Sequence, residues 1–226
     1  LIYSKVNYHV SICKHLQKNL EYIIPFGENS KSVLIYSSLE SKEIQKVPHT
    51  KLALLHVGRI ARGKGQYDAL EACRILYENN IDFIFYIVGG FEEKYKDEFM
   101  NFYETLEYKE KIELVGFTKD VESYLAKSDI FLFPSHGEGL SNAFLEALKA
   151  GLECISYANT SFPELKELGF KFEVANDKDV NDLKKKLLFT VEKLEDNKEK
   201  IDKNIYLVQE YFLQDKEILE YLKILN

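Results

Sequence analysis

Residues 130–157 read IFLFPSHGEGLSNAFLEALKAGLECISY, and this stretch decides the fold class. The apolar run Ile130 to Phe133 ends at a proline, which predicts a short buried strand. Apolar side chains then recur at helical spacing from Ser141 to Ala150, and a glycine closes the predicted helix. Glu153 to Tyr157 is a second apolar run. A buried strand, a helix and another buried strand indicate a unit with parallel strands.

The same alternation extends towards the amino terminus. Apolar runs without polar alternation predict three further strands: Leu52 to Val57, Phe83 to Val88 and Ile112 to Val115. Helical spacing predicts helices at about 66–79, 92–107 and 121–127. This pattern predicts an α/β fold, a Rossmann-like parallel sheet with helices on both faces. Ligands of such sheets bind beyond the carboxyl ends of the strands, here the loops 58–65, 89–92, 116–120 and 134–141.

The two ends of the chain differ from this central part. Polar turns join three short strand-like runs near the start: Tyr8 to Ile12, Tyr22 to Pro25 and Val33 to Tyr36. Amphipathic spacing near the end predicts helices at about 177–196, 198–212 and 214–225, with solvated charged faces. We therefore predict four segments: the end of a preceding domain with its crossover at 1–38, a linker at 39–50, the main domain at 51–210, and a helix at 211–226 that packs back.

Composition narrows the function classes. The net charge of −7 disfavours a nucleic-acid-binding protein, which presents a basic face, but it leaves room for a small anion site. The widely spaced Cys13, Cys73 and Cys154 form no zinc or disulfide pattern, which favours a reducing, cytoplasmic compartment. The longest apolar run is too short to cross a bilayer. The chain starts at Leu1 and its only methionine is Met100, so we expect a preceding segment in the full protein.

A basic, glycine-rich loop, GRIARGKG, follows the first strand of the predicted sheet at residues 58–65. Its glycines allow the backbone to approach a ligand, and the start of the following helix favours an anion. Arg59 can donate two parallel hydrogen bonds to phosphate oxygens, and Lys64 adds a compact charge. Because basic glycine-rich loops are common, an ordinary surface loop explains this motif equally well when it is taken alone.

A second constellation, PSHGEGLSNAFLEAL, covers residues 134–148. Ser141 is a predicted N-cap, and the backbone amides of residues 140–142 could hold a diphosphate at the helix start. Glu146 lies within an apolar helix, where a carboxylate needs a partner and can accept hydrogen bonds from the vicinal hydroxyls of a sugar. Glu138 precedes it in the loop. In the alternative interpretation, both glutamates are solvated surface charges.

These motifs together resemble glycosyltransferase family 4. The resemblance rests on the Glu-x7-Glu pattern of Glu138 and Glu146, on the Gly-Arg-x4-Lys-Gly loop, and on the lead-in SDIFLFPS at residues 128–135. It covers about residues 33–226 and implies the GT-B fold, in which two Rossmann-like domains face each other across the active site. Residues 51–210 would then be the domain that binds the nucleotide-sugar donor. The sequence departs from the family pattern at residues 151–154 and 159–164, beside the expected donor sugar.

The resemblance implies a role for each matching residue. Arg59 and Lys64 would bind the donor diphosphate, and Glu138 would contact the hexose near the reacting carbon, which makes these three the candidate catalytic residues. Glu146 would hold the ribose hydroxyls. The other candidate donor-binding residues supply amides, close backbone approach or a flank for the base: Gly58, Gly116, Phe117, Gly139, Leu140, Ser141 and Asn142. No metal and no cofactor are expected, because cations and a helix terminus neutralise the diphosphate.

The implied reaction transfers a hexose, with retention, from a nucleotide diphosphate sugar to a carbohydrate or lipid-linked acceptor in surface polysaccharide biosynthesis. We expect a cytoplasmic protein, with peripheral attachment at the inner membrane face through the preceding domain as an option. Since most of the acceptor half is absent from this sequence, the chain alone is expected to be inactive. Two alternatives stay open: a non-catalytic nucleotide-sugar-binding fragment and a GT-B-fold nucleotide-sugar epimerase. His136 is expected in solvent beside the site, and His56 within a buried strand.

Overall fold

A computed structural model describes residues 6–24, 27, 30–40 and 43–225. The strands are β1 Tyr8–Ser11, β2 Lys31–Leu34, β3 Leu52–Val57, β4 Phe83–Val88, β5 Ile112–Gly116, β6 Ile130–Phe133, β7 Glu153–Tyr157 and β8 Glu173–Ala175. The helices are α1 Lys14–Ile23, α2 Gln66–Glu78, α3 Glu93–Glu104, α4 Glu122–Ala126, α5 Asn142–Lys149, α6 Phe162–Glu167, α7 Val180–Glu192, α8 Lys198–Tyr211 and α9 Gln214–Leu225. Short 3-10 turns cover Lys109–Lys111 and Leu194–Asp196.

Six strands form one parallel sheet in the order β5-β4-β3-β6-β7-β8. Within this sheet, the first strand along the chain is the central β3, and the next two, β4 and β5, lie successively further out on one side. The chain then returns to β6 on the other side of β3 and continues outward through β7 to β8. This reversal creates a crevice at the carboxyl ends of β3 and β6, the place where open parallel sheets bind ligands. The predicted parallel α/β fold is therefore confirmed. The strands β1 and β2 pair in parallel in a separate small sheet.

Both faces of the large sheet are covered, and β6 shows why its sequence lacks polar alternation. Ile130 and Leu132 belong to the core cluster that includes α2, whereas Phe131 and Phe133 belong to the cluster that includes α5. All four side chains are buried. Because successive residues of a strand point to opposite faces, a sheet that is covered on both sides needs apolar residues at every position.

The amino-terminal segment corrects one prediction. A strand at Tyr22 to Pro25 is wrong, because Tyr22 and Ile23 form the end of α1, and Pro25 lies outside the described residues. The run of aromatic and β-branched residues there has high strand propensity. The chain instead continues as a helix there, because Leu16 and Leu20, one turn apart, give α1 an apolar face that Ile23 extends. The short elements α6 and β8 are absent from the sequence-based predictions.

Residues 43–50 form an extended strap along the main domain rather than a loose connection. The amide of Val47 donates to the carbonyl of Ala126 at 2.9 Å, and the ammonium of Lys46 donates to the carbonyl of Ser128. His49 Nε2 lies 2.8 Å from the Asp129 carboxylate. The proposed division at residues 38, 50 and 210 stays a prediction.

The carboxyl-terminal helices lie where amphipathic spacing predicts them. Glu217 of α9 accepts a hydrogen bond of 3.0 Å from the backbone N–H of Ser38, and Leu213 pairs with Leu39 in an isolated bridge. The helix α9 is thereby joined to the chain that leaves β2. Within the part of the chain that the structure describes, no helix has the length and hydropathy that a membrane span requires.

Candidate functional site

The loops that follow β3 and β6 meet at the crevice of the sheet. A Cβ atom at Gly65, where φ is +80°, would overlap the carbonyl oxygen of Pro134, so only glycine allows this approach. The backbone N–H of His136 donates to the carbonyl of Gly63 at 2.9 Å. These contacts hold the two loops together as one unit, although their sequences lie about seventy residues apart.

An ion pair joins the two loops at their polar end. Lys64 Nζ donates to Glu138 Oε1 at 2.7 Å, and Ser135 Oγ donates to the same oxygen at 3.0 Å. The side chains of Lys64 and Glu138 are 31% and 15% exposed, so the pair is partly shielded from solvent. Glu138 lies three residues before the N-cap of α5. A candidate cation and a candidate sugar-binding carboxylate are therefore in direct contact at the start of this helix.

Arg59 has a fixed backbone and an available side chain. Its carbonyl oxygen accepts a hydrogen bond of 3.0 Å from Gln66 Nε2. Its guanidinium is exposed and makes no ion pair or hydrogen bond with any residue that the structure describes. The neighbouring Arg62 differs, because it pairs with Glu98 at 2.7 Å. Of the two arginines in this loop, Arg59 is thus the one that is available to an anion.

His56 supports the crevice from inside the core, where it was predicted. Its Nδ1 donates to the carbonyl of Leu132 at 2.9 Å, and its Nε2 accepts from the side-chain amide of Gln66 at 3.1 Å. Burial lowers the pKa of His56 to about 4, so the imidazole is neutral at physiological pH. The ring stacks on Phe133 with 5.1 Å between the ring centroids. His56 therefore links the ends of β3 and β6 and orients Gln66 towards the Arg59 carbonyl.

The start of α5 has backbone N–H groups that donate no hydrogen bond to another described residue. Ser141 is the N-cap as predicted, since its Oγ accepts from the backbone N–H of Phe144 at 3.3 Å. The backbone N–H groups of Gly139, Leu140 and Ser141 have no acceptor among the described residues. The side chain of Leu140 is buried, so this residue can serve a ligand only through its backbone. Together with the helix dipole, these amides favour an anion.

Glu146 and Asn142, one turn apart on α5, line a cavity of about 390 Å³. Leu39, which follows β2, and Ile44 of the strap line the same cavity. No described residue donates a hydrogen bond to the Glu146 carboxylate. Burial raises the pKa of Glu146, and the charge of Lys149 opposes this shift. A partly buried carboxylate without a donor is prepared to accept hydrogen bonds from a hydroxyl-bearing ligand.

The carboxyl ends of β3, β4 and β5 are packed closely through glycines. The amide of Gly89 donates to the carbonyl of Gly116 at 2.9 Å, and a Cβ atom at Gly89 would overlap the carbonyl oxygen of Gly58. Phe117 follows directly and is 79% exposed. An exposed aromatic ring at the ligand edge of the sheet can cover the face of a planar group.

The sequence analysis missed a hydrogen-bonded group of three residues at the crevice: Asp68, Tyr157 and His136. Asp68 Oδ2, in the first turn of α2, accepts hydrogen bonds of 2.8 Å from Tyr157 Oη and from His136 Nε2. His136 is thus exposed as predicted but also anchored. The Glu138 amide donates to Thr160 Oγ1 at 3.3 Å. The only available signal was the position of Asp68 at a helix start three residues after the glycine-rich loop.

The candidate residues therefore fall into two groups. Lys64, Glu138 and the amides at the start of α5 are contiguous, whereas Glu146 and Asn142 line the adjoining cavity against the strap. No described contact joins Arg59 or Phe117 to either group. In the described ranges, no cluster of three or more His, Cys, Asp or Glu side chains has the arrangement that could hold a metal ion.

The topology and the crevice define a Rossmann-like α/β domain with an anion-favouring edge at the switch point of its sheet. The sequence profile described as "Glycosyl transferases group 1" matches residues 37–208. The chain belongs to this family.

The chain matches only part of the length of each curated relative. The putative colanic acid biosynthesis glycosyltransferase WcaL of Escherichia coli (strain K12) is 31% identical over 132 residues, 54% of this chain and 32% of WcaL. The UDP-Gal:alpha-D-GlcNAc-diphosphoundecaprenol alpha-1,3-galactosyltransferase of Escherichia coli is 37% identical over 101 residues, 44% of this chain and 26% of that protein. The matched segment thus spans about a third of these relatives or less, and their names place them in bacterial glycan biosynthesis.

Solved structures share the fold. Anabaena Alr3699/HepE in complex with UDP-glucose superposes with a TM-score of 0.87 at 14% identity, over 99% of this chain and 65% of that chain. Sucrose-phosphate synthase from Thermosynechococcus elongatus gives a TM-score of 0.83 at 15% identity, over 99% and 58%. At these identities the similarity concerns the fold alone, and the fold is that of GT-B glycosyltransferases.

Proposed function

We propose that this chain is the donor-binding half of a retaining hexosyltransferase of glycosyltransferase family 4, acting on a nucleotide diphosphate sugar. One observation carries the proposal. The unpaired Arg59 guanidinium, the Lys64 ammonium and the unfilled amides of residues 139–141 lie at the same edge of the sheet, beside its switch point. Cations and helix-start amides of this kind bind pyrophosphate.

The chemistry assigned to this site is electrostatic. Negative charge develops on the diphosphate as it leaves the anomeric carbon, and fixed positive groups lower the free energy of that transition state. Lys64 is paired with Glu138. When the donor binds, we expect Lys64 to exchange Glu138 for a phosphate oxygen. Glu138 then becomes free to accept a hydrogen bond from a hexose hydroxyl near the reacting carbon.

The nucleoside is assigned to the cavity next to the start of α5. Glu146 would accept hydrogen bonds from the two ribose hydroxyls, which supply the donors that its carboxylate lacks. The base would lie towards the Gly116 loop, with Phe117 against its face. A Cβ atom at Gly116 would meet nothing within 4 Å, so there is open space beside this glycine. We expect no metal ion, because the cations and amides neutralise the diphosphate.

The acceptor and the cellular setting follow from the relatives by analogy. One relative is named for transfer to a sugar on diphosphoundecaprenol, and another for colanic acid biosynthesis. We therefore assign a carbohydrate or lipid-linked acceptor in surface polysaccharide biosynthesis, bound by a preceding domain. That setting implies a cytoplasmic enzyme at the inner membrane face. The family and the named relatives give no support to an epimerase or a non-catalytic fragment.

Calorimetry with nucleoside diphosphates tests the donor site on the chain as it stands. A thermal-shift screen of UDP-, GDP- and ADP-sugars first selects the base, since ligand binding raises the melting temperature. The selected diphosphate is then titrated into Arg59→Ala and Arg62→Ala. We expect Arg59→Ala to weaken binding by about tenfold to a hundredfold, the value of a charged hydrogen-bond pair.

Arg62→Ala is the matched control, because Arg62 lies in the same loop and carries the same charge but pairs with Glu98. Its affinity should stay within about twofold of the parent, given that exposed ion pairs contribute little. Equal losses in the two variants would mean that only the general charge of the loop matters. Unchanged affinity in Arg59→Ala would remove the basis of the donor-site assignment.

A further inference from the structure

Thr160, in the loop that follows β7, has a backbone conformation that is unusual for its residue type. Its φ angle is +47°, in the left-handed region. Among the described residues other than glycine, Asn80 and Lys178 alone share this conformation. Asparagine adopts it readily and lysine is unbranched at Cβ, whereas threonine is β-branched and is strained there. A glycine would adopt the same backbone conformation without strain.

The neighbours of Thr160 hold this strained conformation in place. Asn159 Nδ2 donates to the carbonyl of Ser135 at 2.9 Å, which joins the loop after β7 to the loop after β6. On the other side, Phe162 is buried and packs edge to face on Phe144 of α5, with 4.8 Å between the ring centroids. Backbone strain persists where the surrounding structure enforces it, and it is concentrated at functional sites.

The hydroxyl group of Thr160 supplies what a glycine could not. Thr160 Oγ1 accepts a hydrogen bond of 3.3 Å from the backbone N–H of Glu138, and it donates to Asn159 Oδ1 at 3.2 Å. The Glu138 N–H has no backbone acceptor among the described residues. The hydroxyl group therefore fixes the main chain of Glu138, the candidate hexose contact.

Glu138 needs this contact most when the donor is bound. Its carboxylate accepts hydrogen bonds from Lys64 and Ser135. In the proposed donor complex, Lys64 turns to a phosphate oxygen and no longer holds Glu138. Ser135, on the side chain, and Thr160, on the backbone, are then the contacts that keep the carboxylate beside the hexose.

We propose that Thr160 is a positioning residue of the donor site, whose hydroxyl group holds the backbone of Glu138 so that its carboxylate meets the hexose. This inference rests on the donor site proposed above. Thr160 acts through Glu138 and makes no contact with the nucleoside diphosphate. It therefore strengthens the binding of a nucleotide sugar relative to the nucleoside diphosphate alone.

Three substitutions separate the hydroxyl group from the backbone strain. Thr160→Ser keeps the hydroxyl group without the β-branch, Thr160→Val keeps the branched shape without the hydroxyl group, and Thr160→Gly removes both. Asn80→Gly is the control, because Asn80 is also left-handed but lies before β4, at the opposite edge of the sheet. We expect Thr160→Gly to melt about 2 °C or more above Thr160→Val, since valine keeps the strain.

Calorimetry measures the affinity of each variant for two probes. These are whichever of UDP-, GDP- and ADP-glucose gives the largest melting shift, and the nucleoside diphosphate of the same base. We expect Thr160→Val and Thr160→Gly to bind the nucleotide sugar about threefold to tenfold more weakly, the value of one hydrogen bond, and the nucleoside diphosphate within about twofold of the parent. Thr160→Ser and Asn80→Gly should keep both affinities. Binding would then follow the hydroxyl group rather than the melting temperature.

A double-mutant cycle between Thr160→Val and Glu138→Gln tests the same contact without a ligand. Urea denaturation gives the unfolding equilibrium constant of the parent, the two single variants and the double variant. If Thr160 positions Glu138, the effect of Glu138→Gln on this constant should differ at least about twofold between the parent and the Thr160→Val chain.

Three results would each overturn the role of Thr160: parental affinity of Thr160→Val for the nucleotide sugar, equal losses for the two probes, or additive effects in the cycle. A parent chain that binds neither probe would refute the donor-site assignment instead. The cycle would then show by itself whether Thr160 positions Glu138.

Discussion

Replacing Glu146 with glutamine should stabilise the ligand-free chain at neutral to alkaline pH. The carboxylate is partly buried and has no described hydrogen-bond donor, and burial raises its pKa above the value in the unfolded chain. A raised carboxyl pKa means that ionisation opposes folding. The destabilisation is therefore fully present above the folded pKa and disappears below the unfolded pKa, where both states are protonated.

The size of this effect follows from the cost of a buried acceptor without a partner. A fully buried group of this kind costs about 1–3 kcal/mol, and the partial exposure of Glu146 reduces the figure to about 1 kcal/mol or less. For a chain of this size, that corresponds to a rise in melting temperature of about 2–4 °C at most. The same substitution should weaken nucleoside diphosphate binding about tenfold or more, because hydrogen bonds to a charged group are lost.

Thermal denaturation at pH 8 and pH 4, with and without the nucleoside diphosphate, measures both effects in one set of samples. Glu192→Gln, an exposed glutamate on α7, is the control and should change neither. The reasoning is refuted if Glu146→Gln leaves both the pH 8 melting temperature and the ligand-induced shift unchanged. A gain in stability without a loss of binding would keep the electrostatic argument and remove the ribose contact.

Two other predictions concern the frame of the site. Gly65→Ala should destabilise the chain by about 3 kcal/mol or more, because its Cβ atom would overlap Pro134. Gly63→Ala has open space around its Cβ atom and should cost only about 1–2 kcal/mol, the strain of a left-handed backbone. Urea denaturation compares the free energies of unfolding of the two variants. Burial opposes protonation of His49, but its hydrogen bonds to Asp129 and Val47 outweigh this and raise its pKa. His49→Gln should therefore cost more stability at pH 5.5 than at pH 8.5, by less than about 1 kcal/mol, and equal losses would contradict this.

The sheet could be predicted because its physical requirement is local and repeated. A strand that is covered on both faces must be apolar at each position, and Ile130 to Phe133 meets that requirement without reference to the rest of the chain. The N-cap at Ser141 is equally local. The end of α1, at Tyr22 and Ile23, was wrongly predicted as a strand. The strand propensity of these residues competes with the amphipathic spacing that precedes them.

The contacts within the site could not be predicted, because they depend on partners far apart in sequence. The sequence indicates that Lys64 and Glu138 both lie at the ligand edge, but not that they pair with each other. The anchoring of His136 by Asp68 is of the same kind. The buried Glu153 could be seen only as a departure from a family pattern. Its ion pair with Lys200 depends on the placement of α8 beside the start of β7.

The convergence of Arg59, Lys64 and the amides of α5 on one pyrophosphate is tested most directly by a crystal structure of the chain with its preferred nucleoside diphosphate. We predict that Lys64 Nζ leaves Glu138 and lies within about 3 Å of a phosphate oxygen, with Arg59 and an amide of residues 139–141 on the same pyrophosphate. A pyrophosphate bound elsewhere, or a Lys64 that keeps its contact with Glu138 while the nucleotide is present, would contradict it.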